Sequence, residues 1–250
     1  MTTIVEPRVE LIAHTAIVPD AIEQRMEIQE GSTDAETLTV YAGRSCYESW
    51  SRPNEKTRQD GDYLKRTLFE QGHMSILEHA SATFYITGVS RALLAEITRH
   101  RHLSFSVMSQ RFVSEEDANI VIPPAIRDAK EINETHYDEE LGGEVIGATD
   151  NLKVMANLAI ATYAGLVEEL QEVEGLSRKQ AREAARAVLP NMIETRIVVT
   201  GNLRAWHEVI ARRTAPDADA EFQQVAGMIR DELQKLAPEV FKKGSHDHGK

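Results

Sequence analysis

The chain reads as α+β: a small, mostly antiparallel sheet packed with long helices inside a single domain. Three observations predict this class. Long apolar-periodic stretches, such as 151–173 and 218–236, have the 3.6-residue spacing of helices that bury one face. The alternating runs that suit strands, RVELIA, ASATFYITG and MIETRIVVT, are few and far apart, so helices must fill the intervals between sheet neighbours. No internal repeat or low-complexity segment points to a solenoid or a fibrous chain.

Arg8 to Ala13 alternates polar and apolar and forms an opening strand. Glu36 to Tyr47 and Asp62 to Gln71 are helical, the second stopped by Gly72. Between them SWSRPNEKTRQDGD has the Pro, Asn and Gly of a surface loop. Ala80 to Gly88 is the best strand, with Ala82, Phe84 and Ile86 on one face and Thr83, Tyr85 and Thr87 on the other. Ser90 is placed to cap the helix RALLAEITRH, whose stripe is Leu93, Leu94 and Ile97 and whose other face carries Glu96 and Arg99. The acidic stretch 128–144 reads as a solvated helix and loop, and 151–173 as a long core or interface helix. Ser177 starts the helix RKQAREAARAVL, ended by Pro190; Met192 to Thr200 is a strand. Helices over 202–213 and 218–236 follow, which makes 1–241 the folded domain and 242–250, KKGSHDHGK, a disordered tail.

At 250 residues, 42% of them hydrophobic, the chain can bury a sizeable core. Lys and Arg number 28 against 40 Asp and Glu, for a formal net charge of -12. Non-specific nucleic-acid binding draws on positive charge that neutralises phosphates, so this balance disfavours it and leaves room for a small anion at a local patch. A single cysteine, Cys46, excludes an internal disulfide and a thiolate-rich metal site. The N-terminal MTTIVEPRVELIAH lacks the basic and apolar regions of a signal peptide, and no apolar run suffices to span a bilayer. The expectation is a cytoplasmic protein with no membrane contact.

The local patch is Arg99 to Phe112, RHRHLSFSVMSQRF. Arginine forks match phosphate and carboxylate oxygens two at a time, and Ser and Gln add neutral hydrogen bonds. Arg99, Arg101, Ser104, Ser106, Ser109, Gln110 and Arg111 could therefore cradle a phosphate on a loop leaving a helix. The bland alternative is surface pairing with the abundant carboxylates. Against it, Arg178, Arg182 and Arg186 recur every fourth residue along one helix face beside Lys179, and the next helix ends in Arg212-Arg213. A metal is not expected: His100 and His102 are flanked by arginines, His73 and His79 have no HExxH context, and no cysteine partner exists. Ser109 lacks a nucleophile elbow, and Cys46 in a helix reads as a packed core residue. GGEVIG at 142–147 is neither a dinucleotide fingerprint nor a P-loop. Phe105, Met108 and Phe112 can wall a planar ring. The residues thus define a pocket for a phosphorylated aromatic small molecule without naming a reaction. A non-catalytic anion or nucleic-acid-binding module using 99–111 is the other reading.

The spacing RHR, seven residues, then Ser at 109, followed by Gln-Arg, resembles the signature of the flavin-dependent thymidylate synthases. GHMSILEHASATFYITGVSR before it and RKQAREAARAVLPNMIETRIVVTGNLRAWHEVIARR after it are also similar to that family. The resemblance implies an FAD-dependent methyltransferase that converts dUMP to dTMP, with 5,10-methylenetetrahydrofolate as carbon donor, NADPH as reductant and no enzyme nucleophile. It further implies a homotetramer with active sites at subunit interfaces. Residue by residue, it implies flavin contacts at Ser75, Arg99, His100, Arg101, Asn202, Arg204 and Glu208. For dUMP it implies Glu96, Arg99, Val107, Ser109, Gln110, Arg111, Arg186 and Arg213. Arg213 would also act in catalysis by stabilising an ionised uracil N3, since a guanidinium aimed at developing negative charge raises electron density at C5. The chain departs from the pattern in three places. Val107-Met108 replaces a polar pair, which leaves backbone contacts only; Phe112 stands where Tyr is frequent; and Glu208 takes the place of a flavin-binding histidine, with His207 one residue early.

Overall fold

A computed structural model describes residues 2–140 and 142–242. Strand β1 (Arg8–His14) is followed by helices α1 (Pro19–Glu23), α2 (Asp34–Ser45) and α3 (Asp60–Leu64), then by β2 (Ser81–Ser90) and α4 (Arg91–Ile97). β3 (Ser104–Val107), α5 (Pro124–Arg127), β4 (His136–Asp138) and β5 (Gly143–Val145) lead to the long α6 (Ala148–Glu172). α7 (Arg178–Ala185), β6 (Glu194–Asn202), α8 (Leu203–Arg213) and α9 (Ala220–Leu236) complete the order. Hydrogen-bonded neighbours in the main sheet run β1-β2-β6-β3, and β4 pairs antiparallel with β5. Small antiparallel sheets and many helices bear out the α+β class.

Capping residues fix several helix starts. Ser90 accepts from the Leu93 N–H at 3.0 Å to open α4, and Asn202 accepts from Ala205 at 2.8 Å to open α8. Ser177 and Gln180 form a reciprocal capping box at α7.

Elsewhere the structure departs from the sequence reading. α4 ends at Ile97, because Thr98 donates its hydroxyl to the Leu94 carbonyl at 2.8 Å and closes the turn. SFSV then alternates as strand β3, so the arginine motif is not one loop leaving a helix. The expected helix over 62–71 is α3 followed by a wider π-helical stretch, Lys65–Glu70, before Gly72 at φ 72°. The acidic segment 128–144 holds the β4-β5 hairpin. Cys46 is not a core residue: it is exposed at the end of α2, donating weakly to the Ala42 carbonyl. The tail, Lys242 aside, lies outside the described residues.

The chain divides into two compact units. The first comprises residues up to 8, 86–99 and 106–197. Its core lines one side of α6: Ala156 and Ile160 pack with Ala118, Ile120, Ile122 and Ile193. Further along, Tyr163 and Val167 pack with Ala181 and Ala185 of α7. The opposite side of the same helix leaves Val154, Met155 and Leu158 more than half exposed. Gly88 has φ 66° and lies so close to the Glu6 carbonyl that a Cβ there would overlap it. Its N–H donates to the buried carboxylate of Glu194 at 3.0 Å.

The second unit comprises 9–85, 100–105 and 198 onward. Its centre is Trp206, which meets Phe84 edge-on at 5.2 Å and donates its indole N–H to the Ala82 carbonyl at 3.1 Å. Thr83 and Thr200 hydrogen-bond across β2 and β6 at 2.9 Å.

Candidate active site

Within the second unit, the first turns of α8 open onto a cavity of about 230 Å³ lined by Glu78, His102, Asn202, Arg204, Ala205 and Glu208. Arg204 and Glu208 are four residues apart and therefore share a helix face, 3.8 Å between charged atoms; Arg204 also reaches Glu78 at 2.5 Å. Asn202, Arg204 and Glu208, all expected at the flavin, thus converge. His207 does not join them. It is 2% exposed, its ring between Phe69 at 6.2 Å and Phe241 at 6.4 Å, so of the two adjacent side chains it is Glu208 that faces the cavity. Ser75 and Arg101 are exposed on a short helical turn and a tight turn respectively. Glu78 and His102 went unassigned in the sequence reading. Glu78 lies one helical turn after Ser75, which was a usable signal; His102 was weighed only as a metal ligand.

The same unit joins His100 to Arg213. The Arg213 Nε–H donates to His100 Nε2 at 3.0 Å, and its guanidinium sits 4.7 Å from the Phe222 ring centroid, a cation–π distance. The His100 ring meets Phe222 edge-on at 5.8 Å. Arginine carries only donors, so the accepting Nε2 holds a lone pair and the imidazole proton sits on Nδ1. The pair gives a cation of fixed orientation beside a neutral histidine.

In the first unit, Glu96 in the last turn of α4 and Arg99 just past its end form an i,i+3 ion pair at 3.6 Å. Val107 ends β3, and the next amide, Met108 N–H, donates to the Arg196 carbonyl at 2.9 Å. The Ser109 carbonyl accepts from the N–H groups of Phe112 and Val113, which curls the chain into a tight turn. Gln110 points inward at 5% exposure, beside Glu115 and Arg91. Burial raises the Glu115 carboxyl above its ordinary range, against the opposing pull of Gln110 and Arg91. Arg111 pairs with Glu183 at 2.7 Å, and Arg182 donates to the Phe112 carbonyl at 2.7 Å. Lys179 stands 5.0 Å over the Phe112 ring. The arginine row of α7 is therefore not uniform: Arg182 braces the turn, and Arg186, exposed just past α7, has Arg91 as its cationic neighbour. Arg91 and Glu115 stand outside the motif and had no sequence signal of their own. Among the described residues no group of three or more His, Cys, Asp or Glu is arranged to hold a metal ion.

The arginine-rich turn of the first unit and the polar cavity at the α8 start in the second each offer guanidinium groups of the kind that match anionic oxygens. A family model described as thymidylate synthase complementing protein matches residues 28–239. The flavin-dependent thymidylate synthase of Mycobacteroides abscessus is 46% identical, covering 96% of this chain and 91% of its own. That of Mycobacterium tuberculosis strain H37Ra is 43% identical, covering 94% and 88%. A crystal structure of thymidylate synthase X from Helicobacter pylori with FAD and dUMP covers 95% of this chain and all of its own, with a TM-score of 0.61 at 20% identity, a likeness of fold. The chain belongs to the flavin-dependent thymidylate synthase family, enzymes of the methyltransferase type.

Proposed function

We propose that the protein methylates dUMP to dTMP, taking the carbon from 5,10-methylenetetrahydrofolate and reducing equivalents from NADPH through FAD. The observation that carries this reading is the Arg213–His100 pair, a pre-oriented cation of the kind the reaction needs. Arg213 is held through Nε and through the Phe222 face, so little reorganisation is required when it stabilises charge at uracil N3. The electron density so raised at C5 favours attack on the methylene carbon without a protein nucleophile. Cys46, the only thiol, belongs to neither residue cluster.

The donors at the α8 cavity fit part of a flavin dinucleotide. Asn202, Arg204 and His102 offer N–H groups to ribose or phosphate oxygens, and at about 230 Å³ the cavity suits one end of the molecule. Ser75, Arg99, His100 and Arg101 would hold the remainder. When bound, the flavin supplies the hydride. For dUMP, Ser109, Gln110, Arg111 and Arg186 serve the phosphate, Glu96 and Arg99 the nucleoside, and Val107 contributes backbone contacts. The protein works as a cytoplasmic homotetramer with active sites at subunit interfaces, and the exposed apolar side of α6 supports association.

The decisive experiment is the visible spectrum of the purified protein. An oxidised-flavin band that NADPH bleaches without air, followed by dTMP formation that requires dUMP and the folate, is expected. A protein that stays colourless after incubation with FAD, and that retains DNA in a salt-dependent manner, would replace this reading with the anion-binding one.

A further inference from the structure

Behind the arginine turn of the first unit lies a carboxyl group that none of the roles above uses. Glu115 is 2% exposed and Gln110 5%, so both side chains turn inward under the chain. Three elements close over them. The turn is fixed ahead of Ser109 by the Met108 N–H on the Arg196 carbonyl at 2.9 Å, and beyond Glu115 by the Glu194 N–H on the Asn119 carbonyl at 2.9 Å. The Arg91 N–H at the start of α4 donates to the Ile193 carbonyl at 3.1 Å. Main-chain bonds therefore tie the turn, α4 and the start of β6 together, and the Glu115 carboxyl is sealed among them.

The charged groups facing Glu115 are Arg91 from α4 and Glu194 and Arg196 from β6. Arg196 pairs with Glu194 at 3.4 Å, and Glu194 also accepts from Asn119 and from the Gly88 N–H. Glu194 is well supplied with donors. Glu115 is not: its Oε1, the Gln110 Nε2 and the Arg91 Nη1 are each shut off from solvent, and none closes a hydrogen bond among the described residues. Buried polar atoms are nearly always paired, so two open donors and an open acceptor at one spot need a cause. The phosphate site above them supplies one. Gln110 is among the phosphate ligands proposed above, and Arg91 has Arg186, another of them, as its cationic neighbour. The two carboxyls are also pushed in opposite directions, Glu115 up by burial and Glu194 down, its donors outweighing burial. Environments that separate two carboxyls in this way leave one ionised and make the other the proton carrier.

We propose that Glu115 is a positioning residue for the dUMP phosphate, holding the Gln110 amide from beneath the turn and taking up one proton as the phosphate binds. The identity of that ligand rests on the synthase reading. A phosphate brings negative charge to the turn and draws the donors of Gln110 and Arg91 toward itself, so the ionised carboxylate loses its support and the neutral form is favoured. The proton comes from solvent and stays on a Glu115 carboxyl oxygen until the nucleotide leaves; no bond of the substrate changes. By linkage, dUMP affinity is level at pH values where Glu115 is already protonated in the free protein. It falls as pH rises from the free to the bound titration range, by at most about tenfold per pH unit, and levels again above.

The test titrates dUMP into the FAD-loaded protein by calorimetry, in buffers of different ionisation enthalpy, from about pH 5 to about pH 8. Titration of the phosphate itself is common to every variant, so the quantity read is the difference between wild type and Glu115→Gln. Wild type should take up as much as about one proton more than Glu115→Gln within that span, and the pH dependence of KM for dUMP should flatten in the variant. Glu115→Asp keeps a titrating carboxyl and should restore the dependence. Glu115→Leu should raise KM for dUMP about tenfold with a smaller change in kcat. Equal proton uptake by wild type and Glu115→Gln at every pH overturns the proposal. Should the variants not fold, the infrared difference spectrum of wild type decides: a protonated-carboxyl stretch gained with dUMP and not with deoxyuridine sustains the proposal, and its absence overturns it. A wild-type protein that binds no dUMP defeats the synthase reading instead, and Glu115 is then judged with inorganic phosphate. The same proton difference from Glu115→Gln sustains its role there; no difference, or no binding, overturns it.

Discussion

Arg213 commits its Nε to His100 across 113 positions of sequence, and that bond sets what replacing it should do. Arg213→Ala should leave the flavin spectrum intact and lower kcat by about 100-fold or more, the scale for removing a donor aimed at developing charge. Unchanged turnover would exclude the role assigned to it. Ser109 differs in kind: it shapes a tight turn and is proposed as a ligand. Ser109→Ala should raise KM for dUMP about tenfold while kcat changes less, as expected for loss of one hydrogen bond to a charged group. Full loss of turnover with normal dUMP binding would make it something other than a ligand. Glu194 carries the pH dependence. Burial pushes its carboxyl upward, but Asn119, the Gly88 N–H and Arg196 outweigh that and hold it below the ordinary glutamate range. The folded protein therefore binds fewer protons here than the unfolded chain as pH falls through that range. Its stabilising contribution is present above about pH 4.3, the ordinary glutamate value, and is lost as acidification passes the lower folded value. Glu194→Gln should thus lower Tm at pH 7 and converge with wild type in acid; a constant offset across pH would refute the assignment.

At the scale of elements, α7 depends on its first residue. Ser177→Ala removes the hydroxyl that accepts from the Gln180 N–H, leaving the backbone N–H of residue 177 to donate to the Gln180 side chain. It should cost about 1 kcal/mol, or roughly 2–4 °C in Tm for a chain of this size. Caps of this type were legible beforehand, as were β2 and the long helices, because each is dictated by neighbours within a few residues. Ser90, Ser177 and the alternation of ASATFYITG needed no tertiary information. What escaped the reading was fixed from a distance. β3 is anchored where the Met108 amide meets the Arg196 carbonyl, and the acidic 128–144 segment hairpins where helix-neutral residues pair across β4 and β5. The site divides along the same line. The arginine motif and GNLRAW were readable as local patterns, yet the bracing of Arg182 on the Phe112 carbonyl and the inward turn of His207 follow only from packing.

For the molecule as a whole, α6 is the element whose two sides differ most. One side is sealed into the core, while Val154, Met155 and Leu158 present contiguous apolar surface on the other. Leu158→Glu places a charge there without touching a core residue. In the tetramer proposed here it should reduce the light-scattering mass below four copies of 28.0 kDa, with the flavin and dUMP sites weakened in proportion. An unchanged mass would put the subunit contacts elsewhere. The lone thiol of Cys46 has a use at this scale as well. It is exposed at the end of α2, and each chain carries one. A nitroxide or dye attached there labels every copy once and at an equivalent position, with no engineered cysteine and none to remove. The spacing between labels surveys the assembly in a single unmodified sequence.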